Sequence, residues 1–226
     1  MTEVPETGWL DSRRLTTILV IALVFGAGLL VVGFGPVRLA GNQQGYEPTQ
    51  PIAFSHRLHA GELAIDCMYC HSGADKSRHA GVPAASICMN CHKNVTSTFG
   101  AFRAEDDLAK KEKRPPRPII SPELRKLYDA LGLDDARKPD ATKTARPIQW
   151  VRIHQVPDFV HFDHSAHVNV GVTCQQCHGT VQAMDRLRQD SDLGMGWCVN
   201  CHRTSNQTGI AGLPVHASID CATCHH

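Results

Sequence analysis

The 226-residue chain has hardly any net charge, few aromatic rings and no cysteine to spare. Its formal charge is +1 and its aromatic content is 6%. No basic face with interleaved aromatics is present, which argues against a nucleic-acid partner. Residues 103–149 hold neither cysteine nor histidine, so the chemistry of those residue types is confined to the two flanks. All ten cysteines fall into five Cys-x-x-Cys-His motifs, with none left over. A disulfide framework would not impose a two-residue gap followed by histidine each time. A zinc site takes four ligands and has no use for a histidine after every knuckle. Thioredoxin-like chemistry needs one motif in a βαβ setting, which is absent.

The first motif is Cys67, Cys70 and His71, and the second is Cys88, Cys91 and His92. The third is Cys174, Cys177 and His178, the fourth Cys198, Cys201 and His202, and the fifth Cys221, Cys224 and His225. This is the attachment pattern of c-type haem. The two thiols form thioethers with the vinyl groups and the histidine binds iron from one face. We therefore expect five covalently bound haem c groups. Their propionates make the loaded protein more acidic than its sequence.

Leu15 to Phe34 is a run of twenty residues without a charge. At 1.5 Å per residue it spans about 30 Å, the thickness of a bilayer core. Arg13 and Arg14 stand just before it and only Arg38 stands close after it, so the positive-inside rule keeps the N-terminus in the cytoplasm and exports the rest. A bacterial cytoplasmic membrane location follows, with the haem domain on the periplasmic side, where this kind of haem attachment occurs. A cleaved signal peptide is the competing reading. Its apolar core would be shorter, and the candidate cuts after Gly35 and Ala40 have poor flanks. Ala22 and Gly26 have the spacing of a close helix–helix contact.

The chain also repeats itself. Phe54-Ser-His56-Arg-Leu-His59 precedes the first motif and Phe162-Asp-His164-Ser-Ala-His167 precedes the third. Each unit closes on a related motif, giving duplicated segments 54–93 and 162–203. We read an anchor over 1–40, a first dihaem module over 41–102, a linker over 103–149, and a second dihaem module plus a fifth haem over 150–226. The linker is rich in charge and proline and is expected to run extended. A short helix over about 122–131 interrupts it, with Ser121 as cap, Pro122 at its first position, Leu124, Leu127, Tyr128 and Leu131 on one face, and Gly132 as stop. The expected fold is mainly α and irregular, with little strand. So few residues per haem leave the porphyrins themselves as the core, covered by loops and short helices.

Five irons need sixth ligands. His56 and His164 stand ten or eleven residues ahead of their motifs, with His59 and His167 one turn further on; all four are expected to ligate. His79 and His154 are further candidates. His161, His216 and His226 are weaker ones. Histidine is absent between His178 and His202, which leaves Met184 or Met195 as a candidate sixth ligand, against a plain packing role.

The Phe-x-His-x-x-His units followed by Cys-x-x-Cys-His resemble the small class III multihaem cytochromes. With five motifs, one anchor, a long linker and the segments Trp150-Val-Arg-Ile-His154 and Leu193-Gly-Met-Gly-Trp-Cys198, the chain resembles the pentahaem subunit of alternative complex III. That resemblance implies an electron-relaying subunit rather than a catalytic chain. Polytopic quinol-oxidising subunits and an iron–sulfur subunit would be its partners, and a monohaem cytochrome c, a copper protein or a terminal oxidase its acceptor. Two rivals remain: a standalone anchored multihaem quinol dehydrogenase feeding periplasmic reductases, and a catalytic multihaem reductase. The second needs an open iron, which the surplus of histidines opposes.

Overall fold

The computed structural model describes residues 12–33 and 43–225. Phe34, Gly35, Arg38, Ala40 and His226 lie outside the described residues. The chain divides into two units, Met1–Ala40 and Gly41–His226.

The first unit contains α1, Ser12–Gly33, of 22 residues. It is long and apolar enough to cross a bilayer. Ile21, Leu23, Val24 and Phe25 all stand exposed, so the helix has apolar side chains all round rather than on one face. The Thr16 and Thr17 hydroxyls donate to the carbonyls of Ser12 and Arg13, 2.8 Å away, which satisfies them inside the helix.

In the second unit, short helices alternate with irregular chain: α2 (Cys67–Cys70), α3 (Ala85–His92), α4 (Phe99–Lys111), α5 (Pro122–Ala130), α6 (His164–Val168), α7 (Cys174–His178), α8 (Met195–Thr208) and α9 (Cys221–Cys224). A π-helical turn covers Arg57–Glu62. There is no β-strand among the described residues, only isolated bridges such as Leu133 with Pro139. The buried apolar residues are few: Ala74, Ala109, Ile120, Leu127, Tyr128, Ile153 and Met184. A chain of this length that buries so little against itself has most of its apolar surface free to pack on something else.

The segment after the first module is more ordered than its composition suggests. Instead of an extended connector with one short helix, it carries two helices. α4 starts on Thr98, whose side chain accepts from the Ala101 amide. Lys110 and Lys111 close it in the last turn, behind the acidic residues, and cations at that end are the order a helix dipole favours. That order is hidden when charges are only counted. Ser121 caps α5 and Pro122 opens it, while Gly132 at φ +68° turns the chain away. Leu127 and Tyr128 of α5 are buried with Ile120, against Ile52, Ala85, Cys88 and Met89. Tyr128 donates its hydroxyl to the His92 carbonyl at 2.7 Å. The connector is thereby fastened onto the second motif.

The duplicated segments meet reciprocally. The Arg57 amide donates to the Met184 carbonyl at 2.9 Å, and Asp185 takes the Ser55 hydroxyl at 2.7 Å and Arg57 Nε at 3.0 Å. In return, the His164 and Ser165 amides donate to the carbonyls of Arg78 and Ser77, and the Asn169 side chain to that of Asp75. Each His-x-x-His segment rests on the loop that follows the other segment's first motif. A two-fold contact has this form, residue i on j and j on i.

Candidate haem-attachment and ligand sites

All five motifs begin on or within a helix, and the reason is spacing. Positions i, i+3 and i+4 share one helix face, so both thiols and the following histidine address the same side. The helix starts are secured locally. Asp66 accepts from the Met68 amide at 2.7 Å, Asp220 from Ala222 at 2.9 Å, and the Thr173 amide donates to Gln176 Oε1 at 2.8 Å. The second motif is secured at its far end instead. The Cys91 carbonyl accepts from the amides of Asn94 and Val95, both at 2.9 Å, which closes the turn that follows α3. All ten cysteines are free thiols. In the first, third and fifth motifs the first thiol is exposed and the second half-buried; in the second and fourth the order is reversed, with Cys88 half-buried under α5 and Cys91 exposed. Burial raises the Cys177 thiol to about 11 and pushes Cys88 and Cys198 upward as well.

The motifs lie side by side. Asn90 inside the second donates to the Tyr69 hydroxyl inside the first, at 2.8 Å. Cys67 of the first lies within hydrogen-bonding reach of Cys174 of the third. Cys177 is near enough to Cys201 and Cys198 of the fourth to interact electrostatically, and so is Cys198 to Cys224 of the fifth. The fifth is also tied to α8, through Asn206 to Ala217 and His202 to the Ser218 carbonyl.

Histidine geometry tests whether these residues suit haem iron. A metal–imidazole bond of about 2 Å on each side, plus the two ring radii, puts the centroids of two axial imidazoles about 6 Å apart. His59 and His92 are 6.2 Å apart, His164 and His178 6.4 Å, and His167 and His202 6.0 Å. The other nitrogen of nearly every such ring is held by backbone. Nδ1 of His59 lies 2.8 Å from the Ser55 carbonyl, of His71 2.6 Å from Gly81, of His92 2.8 Å from Val95, of His164 2.7 Å from Arg78, of His167 2.7 Å from Asp163 and of His202 2.5 Å from Ser218. His225 has a longer approach to the Phe159 carbonyl, 3.3 Å. A carbonyl can only accept, so Nδ1 carries the proton and Nε2 is left with a free lone pair for a metal. The residues fit the group.

The phenylalanines explain their place in the repeat. Phe54 stacks on His59 at 4.4 Å and meets His56 edge-on at 4.9 Å; Phe162 stacks on His167 at 4.6 Å and meets His164 edge-on at 4.8 Å. One ring braces two imidazoles in each unit. The Nδ1 of His56 is buried and has no hydrogen-bond partner among the described residues. His56 thus lacks the backbone carbonyl that holds Nδ1 of His59, His164 and His167. Burial first, then the neighbouring His71 and His59, brings His56 down to about 4. Burial likewise brings His178 to about 3 and His154 to about 4, so these rings are neutral bases at pH 7.

The remaining candidates separate. His154 approaches His178 to 4.2 Å between centroids, about 2 Å too close for an iron between them. His79 lies exposed on the loop after the first motif. Met184 is buried at 8% exposure beneath the π-helical turn, with its carbonyl bound to the Arg57 amide. Met195 is 72% exposed at the start of α8, one turn ahead of Cys198. Sequence reasoning missed the Nδ1 acceptors, which are backbone carbonyls and carry no residue-type signal. The exception is the i−4 carbonyl of Ser55 and Asp163, which stands at the same offset in both repeats.

Among the described residues, helices and irregular chain without strands carry repeated Cys-x-x-Cys-His motifs faced by paired imidazoles, an arrangement suited to holding several covalently attached haems. Residues 160–226 match the family described as cytochrome c7 and related cytochrome c. The chain is also similar to the menaquinone reductase multihaem cytochrome c subunit of Nitratidesulfovibrio vulgaris (strain Hildenborough). The identity is 24% over 227 residues, covering 92% of this chain and 86% of the relative.

Proposed function

We propose that the chain is a membrane-anchored cytochrome c that carries five haems and relays electrons between a quinone pool and an exported redox partner. Haem c supplies a one-electron iron couple. Five cysteine pairs hold the five groups: Cys67 with Cys70, Cys88 with Cys91, Cys174 with Cys177, Cys198 with Cys201, and Cys221 with Cys224. His71, His92, His178, His202 and His225 are their proximal ligands. His56, His59, His164 and His167 take the opposite faces of the first four in the order His71, His92, His178 and His202. Met195 takes the fifth, since it lies one turn from Cys198, whose thiol is near enough to that of Cys224 to interact electrostatically. Met184 then packs the module junction, and His79 stays a solvent-exposed loop residue.

The observation that carries this reading is the set of imidazole pairs at 6.0–6.4 Å. Irons closed on both faces pass electrons; they do not bind substrate. That favours a relay over a reductase. α1 anchors the chain, with its N-terminus in the cytoplasm and residues 41–226 outside. The two dihaem modules, the connector over 103–149 and the fifth haem then form one exported domain. The chain serves as the pentahaem subunit of a complex of the alternative complex III kind, together with polytopic membrane subunits and an iron–sulfur subunit. Quinol oxidised in those subunits supplies the electrons, and a monohaem cytochrome c, a copper protein or a terminal oxidase receives them. The relative's role in a menaquinone reductase supports a second reading, in which the same relay runs from an exported donor toward menaquinone.

Purification of the tagged chain in mild detergent, followed by haem counting and quinol assays in both directions, tests the proposal. Five haems, polytopic and iron–sulfur subunits, and activity lost when those subunits are stripped are the expected result. A chain that arrives alone and still oxidises quinol is instead a standalone dehydrogenase. Net menaquinone reduction with an exported donor selects the second reading.

A further inference from the structure

Among the histidines next to a motif, His178 is set apart by what holds its Nδ1. Six other rings use a backbone carbonyl at 2.5–2.8 Å. His178 Nδ1 instead lies 3.1 Å from Nε2 of His154, with the two rings nearly perpendicular at 84°. We propose that His154 is a positioning residue for the third haem site: it accepts the Nδ1 proton of His178 and thereby sets the orientation and donor strength of that proximal ligand. This rests on the reading of His178 as a proximal ligand with His164 opposite.

The direction of the hydrogen bond follows from that reading. An iron on Nε2 leaves the proton of His178 on Nδ1, so Nδ1 donates and His154 Nε2 accepts. His154 must therefore be the tautomer protonated on its own Nδ1. A neutral imidazole nitrogen is a more basic acceptor than a peptide carbonyl. It draws the proton further from His178 and makes that ring a stronger electron donor to iron, which favours the oxidised state. The third site is thus biased to a lower potential than an equivalent site braced by a carbonyl, such as the first, where His71 bonds Gly81.

His154 is also held for the task. Its neighbour Ile153 is buried, and two residues earlier Val151 is clamped by Gln50, which donates to its carbonyl and accepts from its amide, both at 2.9 Å. The Arg152 guanidinium donates to the His154 carbonyl at 3.1 Å. This clamp ties the end of the connector to the start of the first module, so the ring is delivered by backbone contacts rather than by the haem site itself.

The test uses the full-length, haem-loaded protein in detergent and compares His154→Phe, His154→Gln and wild type by redox titration and low-temperature EPR. His154→Phe keeps a ring of similar size without an acceptor; His154→Gln restores an acceptor oxygen. The expected result is an upward shift of one midpoint in the Phe variant, partial return in the Gln variant, and all irons low-spin in both. A high-spin iron in either variant would make His154 an axial ligand and overturn the inference. Unchanged midpoints in the Phe variant would reduce it to a packing residue, and equally overturn it. Haem bound at Cys174 and Cys177 in wild type, checked by peptide mass, separates these failures from a failure of the attachment reading.

Discussion

The two duplicated segments agree in their His-x-x-His pairs and differ in what surrounds their first motif. In both, one phenylalanine braces two imidazoles with centroid distances equal to within 0.2 Å. In both, the second histidine of the pair bonds the carbonyl four residues back. The first histidines already diverge: His164 Nδ1 reaches Arg78 of the other segment, whereas His56 Nδ1 is unsatisfied among the described residues. So do the motif histidines, His71 on a glycine carbonyl and His178 on His154. The repeat carries two copies of one phenylalanine-braced histidine pair. The interface between the copies, where neither can be packed identically, is where they were differentiated.

The largest expected effect comes from removing the shared part. His56→Ala and His164→Ala should each convert one low-spin iron of five into a high-spin one, seen in the EPR spectrum of the oxidised protein. Equal outcomes would show that the two histidine pairs are functionally equivalent despite their different Nδ1 partners. If His164→Ala stayed wholly low-spin, the pairing of His164 with His178 would be wrong. The comparison would then have to be redrawn with ligands exchanged between segments.

Next comes the reciprocal junction. Gly61 lies against the Gln182 carbonyl so closely that a Cβ could not fit without backbone movement. Gly61→Ala should therefore cost about 1–3 kcal/mol, the range for overpacking a tight contact. Chemical denaturation monitored at the haem absorbance would measure it. A neutral result would mean that the segments are joined through their haems alone. A smaller and one-sided effect is expected at Tyr128, which has a counterpart in neither half. Tyr128→Phe removes the bond to the His92 carbonyl and should cost about 0.5–1.5 kcal/mol. The second motif should respond while the fourth stays unchanged, which residue-resolved hydrogen exchange can read.

What the sequence revealed follows the same division. Motifs, repeats and the helix at Ser121–Gly132 are local patterns of residue type, and they were readable. α4 was not, because charge and proline counts over residues 103–118 merge a capped helix with the Pro-rich chain behind it. Nor was the separate placement of Met184 and Met195, since burial depends on the packing of the junction. His154 was legible only as a spare histidine. Its approach to His178 is supported by Gln50, which clamps Val151 from 101 residues away in the chain. The candidate histidines were therefore visible, while their supports, mostly backbone carbonyls, were not.

The smallest predicted effect lies in the connector, which follows the first segment only. Arg114 at its turn pairs with Glu105 of α4, and the Arg117 amide donates to the same carboxylate at 2.7 Å. The Arg114 hydrogen bond first, then the Arg117 amide, lowers Glu105 from the ordinary 4.5 to about 2. A carboxylate depressed in the folded state contributes stability that is present above pH 4.5 and is lost as pH falls toward 2. Hydrogen exchange of α4 amides, corrected for intrinsic rates, should thus show protection falling as pH drops from 4.5 toward about 2. Glu105→Gln should abolish this fall and leave α4 slightly less protected at neutral pH. Among the described residues the second segment has no such pair at the corresponding place, so α8 should not share the response. If α8 lost protection over the same window, acid would be acting on the haem sites common to both segments, and the connector would not be the element that distinguishes them.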